Sequence, residues 1–274
     1  MSLLVVLPFF YGDEHLLLKN LEWMRELDGH LDYDCLLACD TATNPDTAKE
    51  LASALFNKVS VETYKRVERN AWPWPQNNAF VKTAWNVMRI HRGPWIWVET
   101  DSIPMKRGWL HSLSIEYNMG RKPFGGHLSK EGIFNGVAIY PNNISRFSQK
   151  IMMSAMTECK NSKGEIHQIP WDVYGSQEVK RSLHVMNRLM QHMWNDDATQ
   201  KAYTFPDQKS LEVIRPEVVL FHRCKDGTLI DRLRERMSPP VEQPPPIEKK
   251  VDDAKLIAMR ERMAHARQSR GKKK

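Results

Sequence analysis

Apolar residues recur in two patterns along the first part of the chain, and each pattern predicts a different element. The uninterrupted apolar run from Leu3 to Phe10 is typical of a buried strand. After Asp13, which can cap a helix, apolar side chains recur at helical spacing. They are Leu17, Leu18, Leu21, Met24 and Leu27. The chain therefore opens with a strand followed by a helix.

The alternation of strand and helix then repeats. The predicted elements are strands over 33–39 and 59–64, each followed by a helix, over 46–56 and about 77–91 respectively. A proline-rich and aromatic loop, Trp72-Pro73-Trp74-Pro75, precedes the last of these helices. Strands that alternate with helices predict an α/β domain, with a mostly parallel sheet covered on both faces.

The segment from Trp95 to Val98 is apolar throughout, as a central strand of such a sheet would be. Beyond it the pattern is less regular. It predicts a short strand over 137–140, a helix over about 143–159 and a last apolar strand over 218–221. We expect one domain over 1–238.

Residues 239–274 differ in composition from the rest, with proline runs followed by a charged segment that ends in three lysines. They contain ten lysines and arginines and five acids, so +5 of the net charge of +7 lies there. We predict a Pro-rich linker and a basic tail, partly helical or disordered. Because the remaining domain is nearly neutral, the overall charge does not by itself identify a partner.

An acidic triplet, Glu99-Thr100-Asp101, follows the predicted central strand directly. In an extended segment Glu99 and Asp101 would point to one side and Thr100 to the other. Two converging carboxylates need a positive partner, and a divalent cation held by oxygen ligands supplies one. A solvated turn in which Asp101 caps the next segment explains the triplet equally well.

Several motifs occur together in an order that resembles the GT-A family of nucleotide-sugar glycosyltransferases. They are the first strand ending near Pro8, the acidic triplet, the segment Phe134-Asn135-Gly136-Val137-Ala138-Ile139-Tyr140-Pro141 and the late His222-Arg223-Cys224-Lys225. The resemblance covers roughly residues 3–235 and departs from the family at Glu99, where Asp is commoner. It implies a single GT-A (Rossmann-like) domain and a sugar-transferring enzyme.

The resemblance also implies a metal-bound donor. Asp101 and His222 would ligate Mn²⁺ or Mg²⁺, with Glu99 contacting the metal or the ribose, and Lys225 would face the diphosphate. A half-buried histidine followed by an Asp-Gly turn is the alternative for His222. Further expected contacts to the nucleotide-sugar, a UDP-sugar, come from Pro8, Phe9, Tyr11, Asp13, Asp40, Asn77, Lys82 and Thr100. Helix or turn capping explains Asp13 and Asp40 equally well.

An inverting reaction needs a general base for the acceptor hydroxyl, and Asp172 in Pro170-Trp171-Asp172-Val173 is the first choice, with Glu178 in reserve. Helix capping would explain Asp172 equally well. The residues expected to line the acceptor pocket are His127, Asn135, Trp171, Trp72 and Trp74.

Three acceptor hypotheses follow from these features. The first is a 5-hydroxymethylpyrimidine in DNA, as for bacteriophage enzymes that mask their genomes, with aromatics for an extruded base and the basic tail for phosphate. The second keeps the enzyme and exchanges the acceptor for a surface glycan, lipid or protein. The third is a nucleic-acid-binding protein without catalysis.

The sequence also carries expectations about location. No apolar stretch approaches the roughly 20 residues that a membrane span needs, so we expect no integral membrane contact. The start of the chain lacks the basic region of a signal peptide, which favours the cytoplasm, or the host cytoplasm for a bacteriophage protein.

Overall fold

The computed structural model describes residues 3–69, 71–160, 163–193 and 204–237. The predicted tail and its boundary at 238/239 lie outside these residues. The strands are β1 (Leu4–Phe9), β2 (Leu31–Asp40), β3 (Phe56–Tyr64), β4 (Trp95–Trp97), β5 (Ser102–Pro104), β6 (Phe124–Leu128), β7 (Phe134–Tyr140), β8 (Cys159–Lys160), β9 (Ile166–His167), β10 (Leu183–Val185), β11 (Met190–His192) and β12 (Leu220–His222). The helices are α1 (Glu14–Asp28), α2 (Asp46–Leu55), α3 (Trp74–Ile90), α4 (Trp109–Gly120), α5 (Gln149–Met153), α6 (Trp171–Val179) and α7 (Thr228–Met237).

A seven-stranded sheet forms the centre, in the order β10-β6-β7-β4-β1-β2-β3. Strands β1, β2, β3 and β4 pair in parallel, and β7 runs antiparallel between β4 and β6. The mostly parallel α/β fold predicted from the sequence is confirmed. The apolar run of β1 is buried on both faces because α1 and α2 pack on one side and α3 on the other.

A smaller sheet, β11-β12-β5, lies beside the large one. Strand β12 is antiparallel to β5, which pairs His222 with Ser102, and it is parallel to β11, which pairs His222 with His192. The last predicted strand thus exists, but it belongs to this second sheet. Its position brings His222 next to the acidic triplet.

Two helix predictions are wrong in their bounds. Helix α3 begins at Trp74 and not at about Asn77, because Pro75 occupies the first turn, where its missing N–H costs nothing. The predicted helix over 143–159 divides into a 3₁₀ turn, Ile144–Arg146, and the short α5. Ser148 interrupts it, since its side chain accepts the Ile151 N–H and so begins a new helix.

Helix α7 had no counterpart in the sequence predictions. It begins after Gly227, which has a φ of +70°, and the Asp226 carboxylate accepts the Thr228 N–H at 3.0 Å. Salt bridges join α7 to α1, from Lys19 to Asp231 and from Arg234 to Glu26. Among the described residues, no helix is both long enough and apolar enough to cross a membrane.

Candidate metal centre

The acidic triplet lies in a turn directly after β4. The Ser102 N–H closes this turn on the Glu99 carbonyl at 2.9 Å, so the segment is not the extended strand end that the sequence suggested. The turn still separates the side chains, because Thr100 points away and donates its hydroxyl to Asp13 Oδ2 at 3.1 Å. Glu99 and Asp101 converge on the opposite side.

His222 completes the group from the end of β12. Its Nε2 lies 3.1 Å from Asp101 Oδ1 and 3.2 Å from Glu99 Oε2. The backbone secures this approach, because the Arg223 and Cys224 N–H groups both donate to the Asp101 carbonyl at 3.2 Å. Arg223 has a φ of +103°, a conformation that L-residues rarely adopt and that structures tolerate mainly at functional sites.

The three side chains could hold one metal ion, since one ligand atom from each lies within 4.8 Å of the others. The distances from Nε2 to the carboxylates are short, yet neither Nε2 nor Asp101 Oδ2 makes a hydrogen bond of good geometry, although both atoms are buried. Buried polar atoms without such bonds are costly. Two carboxylates and an imidazole are a donor set that suits Mn²⁺.

The charged groups of the site shift the pKa values of one another. Burial alone would raise the pKa of Asp101, but His222 and Lys225 hold it below its ordinary value. Burial alone would lower the pKa of His222, but Asp101 and Glu99 raise it to about 9. The protonated imidazole is therefore the positive partner of the two carboxylates, a place that a divalent cation can take.

Lys225 supplies a further positive charge at the rim. Its Nζ lies 3.3 Å from Asp101 Oδ2, and its side chain is half exposed. Asp172 lies at the start of α6, where its carboxylate accepts the N–H groups of Gly136 and Val173. Its pKa is raised to about 6, first by burial and then by the charge of Glu99.

The sequence of this protein matches no protein-family model and no curated protein. Solved structures do match. Mouse xyloside xylosyltransferase 1 in its apo form gives a TM-score of 0.52 at 10% identity, covering 81% of this chain and 97% of that one. The galactosyltransferase LgtC, in complex with donor and acceptor sugar analogs, gives 0.53 at 11% identity, covering 88% and 98%. The chain has the GT-A glycosyltransferase fold.

Several residues predicted to bind the donor lie along the same edge of the GT-A domain. Asp13 accepts the Phe10 N–H at 2.8 Å besides the Thr100 hydroxyl, so both of its oxygens are used within the protein. The ring of Tyr11 is 59% exposed and lies under the Arg66 guanidinium, 5.4 Å away. Asp40 ends β2 and accepts the Thr43 hydroxyl at 2.8 Å.

Other predicted donor residues occupy different places. Phe9 is in the core, with Pro8 beside it on β1, and Lys82 is exposed on α3. Asn77 is buried. Its amide donates to the Ile169 carbonyl and to Gln168 Oε1, and it accepts the Trp171 N–H. The earlier start of α3 turns this amide inward, so the structure gives Asn77 a task within the GT-A domain.

The residues predicted to line the acceptor pocket also occupy different places. Asn135 is buried, with its Oδ1 3.3 Å from His222 Nδ1. Asn135, His222 and His127 line one small cavity. Trp171 is a core residue, stacked on Phe80 with ring centroids 4.6 Å apart. The other members are Trp72, which is 65% exposed, and Trp74, which lies under the Arg69 guanidinium at 4.6 Å.

Glu178 does not share the acidic site. Its carboxylate accepts the Ser148 hydroxyl at 2.8 Å and the Lys150 N–H at 3.2 Å, which stabilises the start of α5. Sequence reasoning missed His192, whose Nδ1 lies 2.9 Å from His222 Nδ1. The available signal was weak: Met190-Gln191-His192 and Leu220-Phe221-His222 are both short strands that end in histidine.

Proposed function

We propose that this protein is a metal-dependent glycosyltransferase that transfers a sugar from a nucleotide-sugar to a hydroxyl acceptor. One observation carries the proposal: Glu99, Asp101 and His222 converge at the end of a central strand of a GT-A fold. Ligands of open α/β sheets bind at that edge. The same convergence disfavours a nucleic-acid-binding protein without catalysis, which would have no use for it.

The ligand set supports Mn²⁺ or Mg²⁺ as the cofactor, with the imidazole favouring Mn²⁺. When bound, such an ion offsets the negative charge that grows on a departing nucleoside diphosphate. Lys225 adds a second positive charge from the rim, 3.3 Å from Asp101. Its half-exposed position leaves the ammonium group able to contact a diphosphate oxygen.

A UDP-sugar is the proposed donor, with its nucleotide along the ends of β1 and β2. Tyr11 offers an exposed ring there, and Arg66 lies both over that ring and 4.0 Å from Asp40. An aromatic face and a guanidinium are suited to a base and its phosphates. Asp13 connects this segment to Thr100, so its role is to hold the nucleotide side in place relative to the metal centre.

Asp172 is the proposed general base of an inverting transfer. Two N–H groups fix its carboxylate, and its pKa of about 6 keeps it mostly ionised at neutral pH while bringing it closer to the pKa range useful for proton transfer. Glu178 is the poorer choice because its carboxylate is used in the start of α5. A retaining transfer would not need this base.

The proposed acceptor is a 5-hydroxymethylpyrimidine in DNA. Trp72 lies on the segment between β3 and α3, which also carries Lys65, Arg66 and Arg69, and Trp74 is the first residue of α3. Aromatic rings with interspersed cations suit an extruded base and the neighbouring phosphates. A surface glycan, lipid or protein acceptor is the alternative that the acceptor assay must separate.

Donor hydrolysis tests the enzyme proposal. The protein is incubated with individual UDP- and GDP-sugars in the presence of Mn²⁺ or EDTA, and released nucleotide is measured. We expect the wild type to release nucleotide with Mn²⁺ and not with EDTA. Asp101→Ala and His222→Ala should lose this release, while circular dichroism shows that both variants are folded. Glu178→Ala is the matched carboxylate control, since it lies outside the metal centre. Nucleotide release that is insensitive to EDTA and to both site variants would refute the metal centre.

Acceptor identity needs a separate assay with a labelled sugar. DNA that contains 5-hydroxymethylcytosine or 5-hydroxymethyluracil is compared with the same duplex lacking the hydroxymethyl group. Transfer only to the hydroxymethylated DNA supports the proposal. Transfer to lipid or glycan acceptors with none to either DNA would replace it by the alternative.

A further inference from the structure

Two polar side chains hold His222 from the side opposite the carboxylates. The parallel pairing of β11 and β12 places His192 beside His222, with ring centroids 4.7 Å apart and the two Nδ1 atoms at 2.9 Å. Asn135 Oδ1 lies 3.3 Å from the same nitrogen. One nitrogen of the imidazole thus faces a histidine and an amide, and the other faces Glu99 and Asp101.

Hydrogen-bond chemistry gives this arrangement a direction. Of two Nδ1 atoms in contact, one donates a proton and the other accepts it. A histidine that ligates a metal through Nε2 carries its proton on Nδ1, and that N–H needs an acceptor. His192 Nδ1, at 2.9 Å from His222 Nδ1, is a closer acceptor than Asn135 Oδ1, which lies at 3.3 Å and also accepts the Val137 N–H.

Burial makes the partner choice consequential. His192 is 9% exposed and His222 8%, and both line a small cavity with His127, Asn135 and Leu220. The main alternative acceptor, bulk water, therefore has little access to His222 Nδ1. An acceptor supplied by a neighbouring strand keeps the ring oriented where a solvated ring would rotate between rotamers.

We propose that His192 is a positioning residue of the metal centre. It accepts the Nδ1–H of His222 and so directs the Nε2 lone pair of His222 into the space between Glu99 and Asp101. The inference rests on the proposed function, because it assumes that this space holds a divalent cation. It adds a residue that makes no contact with that cation itself.

The test is Mn²⁺ affinity measured by isothermal titration calorimetry on the full chain. His192→Leu removes the acceptor, and the loss of such an outer partner weakens metal binding by about 10- to 100-fold. His192→Asn is expected to restore affinity close to that of the wild type, because its amide oxygen can take the place of Nδ1. His192→Gln, whose amide extends to the place of Nε2, is not expected to restore it.

His184→Leu is the matched control. It removes a part-buried histidine that bonds Glu116 at 2.9 Å on the large sheet and does not line this cavity, and it is expected to leave the Mn²⁺ dissociation constant unchanged. Circular dichroism and thermal melting confirm the folding of each variant. If His192→Leu does not fold, the comparison of His192→Asn with His192→Gln decides the question.

A spectroscopic readout separates position from stability. Pulsed electron paramagnetic resonance of bound Mn²⁺ detects coupling to a histidine nitrogen, which we expect in the wild type and His192→Asn and expect to weaken in His192→Leu at saturating Mn²⁺. Unchanged Mn²⁺ affinity and unchanged nitrogen coupling in His192→Leu would overturn the positioning role of His192 and would leave the proposed metal centre standing. Absence of Mn²⁺ binding by the wild type would overturn the proposed metal centre and the inference with it.

Discussion

Asn77 provides a sharp test of the fold around the site, because sequence and structure assign it different tasks. The sequence predicts that its amide contacts the donor. In the structure the amide is buried where α3 packs against the start of α6. Its Nδ2 donates to the Ile169 carbonyl at 2.9 Å and to Gln168 Oε1 at 3.0 Å, and its Oδ1 accepts the Trp171 N–H at 2.9 Å. Asn77→Ala would leave these groups without their partner.

The expected loss follows from those contacts. The Ile169 carbonyl and the Trp171 N–H are backbone groups, and each buried group left unsatisfied costs about 1–3 kcal/mol. For the two groups together, Asn77→Ala should lower the free energy of unfolding by about 2–6 kcal/mol. At about 2–4 °C for each kcal/mol in a domain of this size, the melting temperature should fall by roughly 4–24 °C. Urea denaturation and calorimetry measure both quantities.

Asn78→Ala is the control on the neighbouring residue. Its amide donates one hydrogen bond, to the Lys65 carbonyl at 3.1 Å, so its removal should cost about 1 kcal/mol. Equal stability of Asn77→Ala and Asn78→Ala would contradict this structural role of Asn77. A raised KM for the donor at unchanged stability would instead return Asn77 to the donor site.

Three further predictions concern charge and exposed rings. The pKa of Asp13 is raised from 3.8 to about 6, mainly by burial, so its protonated form favours the folded state and this contribution is lost as the pH rises through that window. Asp13→Asn should consequently gain stability relative to the wild type between about pH 4 and pH 7, by at most about 3 kcal/mol in urea titrations, and a difference that does not vary with pH would contradict this. Lys225→Ala should lower kcat for donor hydrolysis by about 10²-fold with partial recovery in Lys225→Arg, and equal activity of all three proteins would remove the lysine from the diphosphate. Trp72→Ala should weaken binding of hydroxymethylated single-stranded DNA in fluorescence anisotropy by about 1–3 kcal/mol, whereas Trp85→Ala, which removes a 50% exposed ring on α3, should not.

The parts of the fold that could be predicted are those that depend on local pattern. The strands β1, β2 and β4 contain apolar runs, and α1 has an apolar face, because burial by a sheet and its helices selects those residues directly. Strand β3 is mixed in sequence, with Val59 and Val61 packed against the core. The true start of α3 was also readable, since proline favours the first turn of a helix. The aromatic residues around it favour a loop instead, and for that reason the start predicted from the sequence lies later than the observed one.

Pairing between distant strands could not be predicted in the same way. Nothing in the local sequence of β12 places it in a second sheet against β5, since a three-residue strand pairs according to its tertiary surroundings. The contact of His192 with His222 depends on the register of two such strands. The resemblance to GT-A glycosyltransferases suggested Asp101 and His222 as partners, and the pairing of β12 with β5 shows how the two side chains meet.

The pairing of β5 with β12 has a consequence for how the site comes into being during synthesis. The acidic triplet and most of the large sheet are made early, whereas His222 is near the end of the described chain. During synthesis the two carboxylates therefore precede His222 and Lys225, the positive partners that lie within 3.3 Å of Asp101 in the folded domain. The three side chains can converge only after β12 has paired with β5, so a ligand placed at this site would bind the paired form of the domain and not a chain that lacks β12.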